Sequence, residues 1–432
     1  MKTVFHIIQV ACAAVAAVAL VPCDAGAVGP EESGFFERFA DPKSGAVSYI
    51  LKKGVAGFNQ QHLYFSTKSM TDDGRFMVIT YAADEASGAM TNEAQKAFAV
   101  IDLEKGAVFR LPGLGKFSIP FLDVREDRLY CADRNDESMC RFDLKSDDPS
   151  RKIRLCDLPR DILALGPVSR WYTHLTLTAD RTRAFLDISV NKQRWIQGLL
   201  RLSDGSFEKW SETDFPCGHA QINPVNDRIA YGGRSRPGWH RVPDRRKGAK
   251  PGDTRLVKIP PGTVYPCMWL LRPGEKPRMI PSRDINHSTH QNWTEDGKGW
   301  YWCSRLPGEK KHSWAKWGVY YYDLATDSET KISDAQAGHA AMNADRTALT
   351  YDWGEWIESE KRYSWRVGYQ DLRTKKETFV FTGMPKYRDQ SCLHPHPHPQ
   401  FVCRDRWILT TVIMPNERLS VALAPVEQFQ GL

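Results

Sequence analysis

Through most of the chain, apolar and polar residues alternate in short runs, the two-residue period of strands with one buried face. A recurring unit organises these runs: an apolar residue, a Thr- or Asn-type residue, an Asp that is often followed by Gly, then a strand. The unit reads MTDDGRFMVITY from Met70, VREDRLYCAD from Val124, LTADRTRAFLDIS from Leu177 and INPVNDRIAYGG from Ile222. It continues as WTEDGKGWYWCSR from Trp293, MNADRTALTYDWG from Met342 and FVCRDRWILTTV from Phe401, which makes seven. Most units carry a second piece, as in AFAVIDLEKGAVFRL, MCRFDLKSDDPSRKIRL, LLRLSDGSFEKW, VYYYDLATDSETKI and VGYQDLRTKKETFVF. Alternating apolar residues on either side of a Gly, Asp or Lys turn predict antiparallel hairpins. Two hairpins per unit give four strands, and a four-stranded repeat of about 45–70 residues is the size of a propeller blade. The reading is all-β: a seven-bladed β-propeller of four-stranded antiparallel blades, a single domain over residues 28–432. Tyr49–Leu51 adds an outer strand to the last blade and closes the ring. A pair of β-sandwiches is the competing architecture, against which the regular spacing argues.

Residues 1–27 break the pattern. Lys2, the apolar run Val10–Val21 and the small residues Ala25-Gly26-Ala27 form an export signal with a cleavage site. The run is too short to span a membrane, so the expected location is periplasmic or secreted, with no membrane span. Leu20-Val21-Pro22 before Cys23 is a poor match for a lipid anchor. Removing the signal leaves eight cysteines, an even number that permits disulfides in an oxidising compartment. Cys131–Cys140 and Cys392–Cys403 are the nearest pairs, with Cys392 or Cys403 as a metal ligand the alternative.

The formal net charge of +7 is mild, but it is unevenly spread. Between Arg234 and Lys258, nine Lys or Arg face only Asp244 and Asp253, among Gly and Pro that predict a long loop. Such a run is either a solvated surface or a clamp for an anionic ligand, and Arg234, Arg236, Arg241, Arg245 and Arg246 are its substrate-binding candidates. No nucleic-acid partner is expected of an exported chain without a nucleic-acid-binding motif.

The candidate chemistry lies in histidines. SCLHPHPHPQFVCRD, from Ser391, holds His394, His396 and His398, each followed by proline. Proline extends itself and the residue before it, so the three imidazoles are expected in a row on one face. Three residues before the apolar residue that opens each unit stand Thr67, Phe121, His174, His219, His290, His339 and His398. Five of those seven are histidine in a chain with 12, so chance is a poor explanation. Equivalent propeller positions lie at one height around the axis, and these imidazoles should converge near one mouth of the channel. The plainer alternative is a set of core histidines bonded to backbone carbonyls. Converging imidazoles suit a divalent metal or proton transfer. His396 can join His398 as a ligand, with Gln390 or Gln400 supplying an oxygen. His394 and His287 are spare candidates; His62 and His312 fall outside the pattern, and His240 lies in the basic run.

GHAQINPVNDRIAYGG, THQNWTEDGKGWYW and HPHPQF resemble the oligogalacturonate lyase family and, equally, related seven-bladed polysaccharide lyases, including ulvan lyases. The resemblance implies a lyase that breaks uronic-acid-containing poly- or oligosaccharides by β-elimination, the alternatives being a glycosaminoglycan-type lyase or a non-catalytic binding propeller. It implies a divalent ion, manganese by preference with zinc or calcium as alternatives, on His339, His396 and His398. The family's glutamine before the H-P-H pair falls near Leu393, so Gln390 or Gln400 is its substitute. His290 matches the family's base, with His219 and His174 lining the site. Tyr231 and Arg246 are the nearest matches to the His/Tyr/Arg set of the ulvan-type enzymes.

Overall fold

The computed structural model describes residues 29–82, 97–113, 120–213, 217–233, 239–243, 254–258, 268–280, 287–307, 314–357, 359, 362–385, 396–416 and 418–430. The expected export signal, Cys392, His312, His394, Gln390 and the arginines at 234, 236, 245 and 246 lie outside them. Among the described residues the strands form seven antiparallel blades. From the axis outwards, blade 1 runs Asn59–His62, Phe76–Ala82, Ala97–Asp102 and Ala107–Arg110. Blade 2 runs from Phe121–Asp123 to Ile153–Asp157, and blade 3 from Thr176–Leu177 to Phe207–Thr213. Blades 4, 5 and 6 begin at Gly218–Ile222, His287–Trp293 and His339–Met342 and end at Arg278–Ile280, Ser328–Ser333 and Glu377–Met384. Blade 7 joins both ends of the chain: Gln400–Val402, Trp407–Ile413 and Leu419–Pro425 are followed by Val47–Leu51 and then Phe36–Ala40. Tyr49 pairs with Leu423 and Ile50 with Ala422, so the expected closure holds, and Phe36–Ala40 adds a fifth strand that the repeat did not signal.

The Thr/Asn-x-Asp signature is a turn lock between the first two strands of a blade. Thr71 Oγ1 donates to Asp73 (2.6 Å) and accepts from Phe76 N (3.0 Å), while Arg75 N donates to Asp73 (3.0 Å). Thr178 with Asp180, Thr294 with Asp296 and Asn343 with Asp345 repeat it. The short polar side chain satisfies turn amides that the strand ladder cannot reach, which explains why the signature recurs. The aromatic wealth is spent largely between blades. Tyr231 and Met268 of blade 4 pack with Trp293, Trp300 and Trp302 of blade 5, and Tyr301 and Val319 of blade 5 pack with Leu349 and Tyr351 of blade 6.

Three expectations change. The basic run is not merely a loop, because Trp239–Pro243 and Thr254–Lys258 pair as a hairpin projecting from blade 4. Cys131 and Cys140 are direct cross-strand partners with sulfurs 3.3 Å apart, yet both are thiols, as is buried Cys403. In blade 1 the strand that opens the unit starts earlier than Met70. Gln61 pairs with Thr80 as His339 pairs with Asp352, the chain then leaves the sheet, and it returns at the Met70–Met77 bridge. Gln61, not Thr67, therefore takes the ring register, and the excursion Leu63–Ser69 is free to enter the channel. Among the described residues, no helix is long and apolar enough to cross a membrane.

Candidate functional site

His339 opens the first strand of blade 6, and His396 and His398 lead into the first strand of blade 7. One ligand atom from each of the three lies within 4.8 Å of the others. The proline segment is not simply extended, because His398 has φ 47° and turns its ring back towards His339. Pro397 is anchored through its carbonyl to Thr411 N (2.9 Å) and Thr410 Oγ1 (3.0 Å). His219 (φ 55°) and His290 (φ 57°) share the left-handed backbone, at register shifts between Gly218 and Gln221 and between Thr289 and Asn292. A non-glycine residue in this region is costly and is a marker of functional sites. Here the bulges accompany two imidazoles of the ring, whereas His339 joins it from a regular strand.

Asp352, fully buried opposite His339, organises the triad. It accepts from His339 N (2.9 Å), from His339 Nδ1 (3.0 Å) and from His398 N (2.9 Å). This fixes the His339 tautomer with Nδ1 protonated, so the ring presents Nε2, the arrangement that metal-binding histidines commonly have. Trp365 lies against His396, with ring centres 4.4 Å apart. Three imidazoles backed by one buried carboxylate fit a divalent cation that leaves coordination positions for oxygen ligands. Asp352 was missed by motif reading, although an Asp within the apolar run LTYDW was a signal, since a strand buried on both faces carries a charge only for a partner.

His290 stands with its ring centre 3.8 Å from that of His339. Its Nδ1 is 2.5 Å from the Gly338 carbonyl, which can only accept, so Nδ1 carries the proton and Nε2 carries the lone pair of the neutral ring. His174 and His219 meet edge to face with ring centres 5.0 Å apart, and His174 Nδ1 meets Ser66 Oγ at 2.6 Å. Five ring histidines thus gather as expected, together with His396.

The excursion in blade 1 fills their centre. The Phe65 ring centre lies 6.2 Å from that of His174, 5.4 Å from His290, 5.3 Å from His339 and 6.3 Å from His398. Contact with blades 3, 5, 6 and 7 puts Phe65 on the axis. Tyr64 stacks on His174 (5.4 Å) and meets His398 edge-on (4.7 Å). Burial, then the Asp352 charge, pushes its phenol above the usual range, so it stays protonated. His62, outside the sequence pattern, is buried 6.5 Å from His398.

Two assignments are corrected. Gln400 is not a metal ligand: its amide nitrogen donates to Thr67 O (2.7 Å) and Tyr64 O (3.1 Å), and its oxygen accepts from Ser69 N (3.1 Å). It latches the excursion that carries Tyr64 and Phe65. Gln400→Ala is expected to destabilise the fold by roughly 2–4 kcal/mol, since buried amides lose their partners. Metal affinity should be unchanged in the folded fraction; an unaltered melt with lost metal binding would restore Gln400 as a ligand. Tyr231 is likewise not at the ring but fully buried against Trp293 and Trp300, with burial raising its phenol pKa. Of the basic candidates, Arg241 falls on the projecting hairpin. A cation the sequence reading passed over, Arg170, lies beside His174 and His219.

Burial, then the charges of His219 and Arg170, hold His174 well below the ordinary histidine range. Burial, then Arg170, lowers His219 to about 4, and burial lowers His62 to about 4. A histidine whose folded pKa lies below its unfolded value binds fewer protons folded than unfolded. Stability is therefore complete above about pH 6.5 and falls as pH drops towards 4. His62 alone should contribute a loss of ~3 kcal/mol across that window. Thermal melts at steps from pH 7 to 4.5 check this, and a flat midpoint would contradict it.

No protein-family model matches the chain, and no curated sequence matches it. Solved structures do. An oligogalacturonate lyase in complex with manganese superposes with a TM-score of 0.66 at 17% identity, covering 90% of this chain and 96% of that one. The oligogalacturonate lyase of Vibrio parahaemolyticus gives 0.68 at 15% identity over the same shares. A puromycin-hydrolysing peptidase of Mycobacterium tuberculosis gives 0.51 at 12%, covering 90% of this chain and 55% of that one. At such identities the likeness is one of fold: the chain has the seven-bladed architecture of the two lyase structures.

Proposed function

We infer that this protein is a lyase that cleaves uronic-acid-containing oligo- or polysaccharides by β-elimination. The observation that carries the reading is a base-competent imidazole, His290, beside a three-histidine cluster able to hold a cation. The C5 proton of a uronate is weakly acidic because the neighbouring carboxylate resists further negative charge. A divalent cation held by His339, His396 and His398 would neutralise that carboxylate when bound. His290 is oriented by Gly338 and takes the C5 proton on Nε2. The C5 electron pair becomes the C4–C5 double bond, and the bond from C4 to O4 breaks. Tyr64, held protonated, is our candidate donor to the leaving O4. His174 and His219 stay neutral near pH 7 and serve as hydrogen-bonding contacts rather than charges. Phe65 excludes water from the axis beneath the reacting sugar.

The leader-like Met1–Ala27 supports action outside the cytoplasm. Ultraviolet absorbance tests the reaction, because elimination creates an absorbing unsaturated uronate, whereas hydrolysis and simple binding create none. The assay should be run on pectate, oligogalacturonate, ulvan and glycosaminoglycans, with and without chelator. Absorbance that rises on one of these and is quenched by chelator is the expected result. Shortened chains without absorbance would make the protein a hydrolase.

A further inference from the structure

Arg170 closes the short strand Val168–Arg170 at the edge of the ring, with its side chain about one-third exposed. Its charged neighbour is Asp187, 3.7 Å away, beyond hydrogen-bond reach. Asp187 is fully buried and already accepts from the backbone amide and the hydroxyl of Thr173. Arg170 Nε makes no hydrogen bond among the described residues. Nε is buried, so the donors open to a ligand are those of the Nη groups at the exposed end of the guanidinium. A Cβ on Gly218 would lie 2.7 Å from Arg170 Nη2 and 3.1 Å from Thr173 Oγ1, so the guanidinium lies against the backbone just before His219. Tyr64 lies between His174, on this side, and His398, in the metal cluster.

We propose that Arg170 is a second anion-recognition point, which takes the carboxylate or sulfate of a sugar neighbouring the one that is eliminated. The proposal rests on the uronate reading of the histidine ring. One sugar offers one carboxylate to the cation cluster of blades 6 and 7. A second cationic point beside blades 3 and 4, with a phenol ring between the two, matches a second acidic group along the same chain. A guanidinium binds either oxyanion with paired N–H donors, and the site therefore selects substrates whose acidic groups fall on consecutive sugars.

Calorimetric titration of the full chain carrying His290→Ala, so that no probe is consumed, tests this. The probes are trigalacturonate, a sulfated uronate disaccharide and neutral maltotriose. At least one acidic probe should bind and maltotriose should not, and the acidic probe that binds assigns the group as carboxylate or sulfate. Adding Arg170→Gln, or Gly218→Ala, which displaces the guanidinium without removing it, should weaken that binding at least tenfold. Unchanged affinity in both variants overturns the proposal, as does a lowered melting point with unchanged affinity, which would leave Arg170 merely neutralising Asp187. Failure of both acidic probes to bind overturns it too. The lyase reading is judged separately by ultraviolet absorbance of the unsubstituted protein, so the two can fail independently.

Discussion

Replacing His290 with alanine is expected to lower the elimination rate by ~10²–10⁴-fold while the protein stays folded. No other imidazole of the ring combines its two features. Gly338 holds its Nδ1 proton, so Nε2 is unprotonated in the neutral ring, and its ring lies directly beside that of the cation-cluster residue His339. His174 and His219 are kept neutral, but they stand apart from the cluster, beside Arg170. The fold should tolerate the change, because the bond lost to Gly338 is worth only about 1 kcal/mol. The left-handed backbone at residue 290 adds a small further cost in alanine. Ultraviolet initial rates paired with thermal melts separate the two effects. Full activity in a folded His290→Ala protein would remove His290 as the base and leave the cluster without a proton acceptor.

Asp352→Asn should weaken divalent-metal affinity by ~10–100-fold. The carboxylate receives three N–H groups: two backbone amides from different blades and the His339 ring. An amide of the same shape has one accepting oxygen and turns an NH₂ group towards a donor. At least one contact is then lost, and either His339 or His398 loses its orientation. A buried donor without its partner should also cost ~1–3 kcal/mol of stability. Titrating manganese chloride and zinc chloride into chelator-treated protein measures the affinity directly. Equal affinity in the variant would show that the histidine rings are held by other means. Selectivity between the two ions is informative as well, since an all-imidazole set favours zinc unless oxygen ligands complete the shell.

The seven-fold repeat, the four-stranded blades and closure by Tyr49–Leu51 were legible in the sequence. Alternation and turn chemistry act over a few residues and recur, so each instance reinforces the others. The histidine ring was legible for the same reason: equal offsets within equal blades put residues at equal heights. What the sequence could not decide depends on side chains from unrelated positions meeting at the axis. Whether an excursion such as Leu63–Ser69 points into the channel or out of it depends on the register of blade 1. That register made Tyr64 and Phe65 part of the site and Gln400 their latch. The pairing that set Asp352 opposite His339, and the left-handed turns at His219, His290 and His398, likewise follow from strand register and bulges. A strand's period fixes which face a residue takes. Only packing seven blades around one axis fixes which residues then meet there, because non-local contacts outweigh local preference.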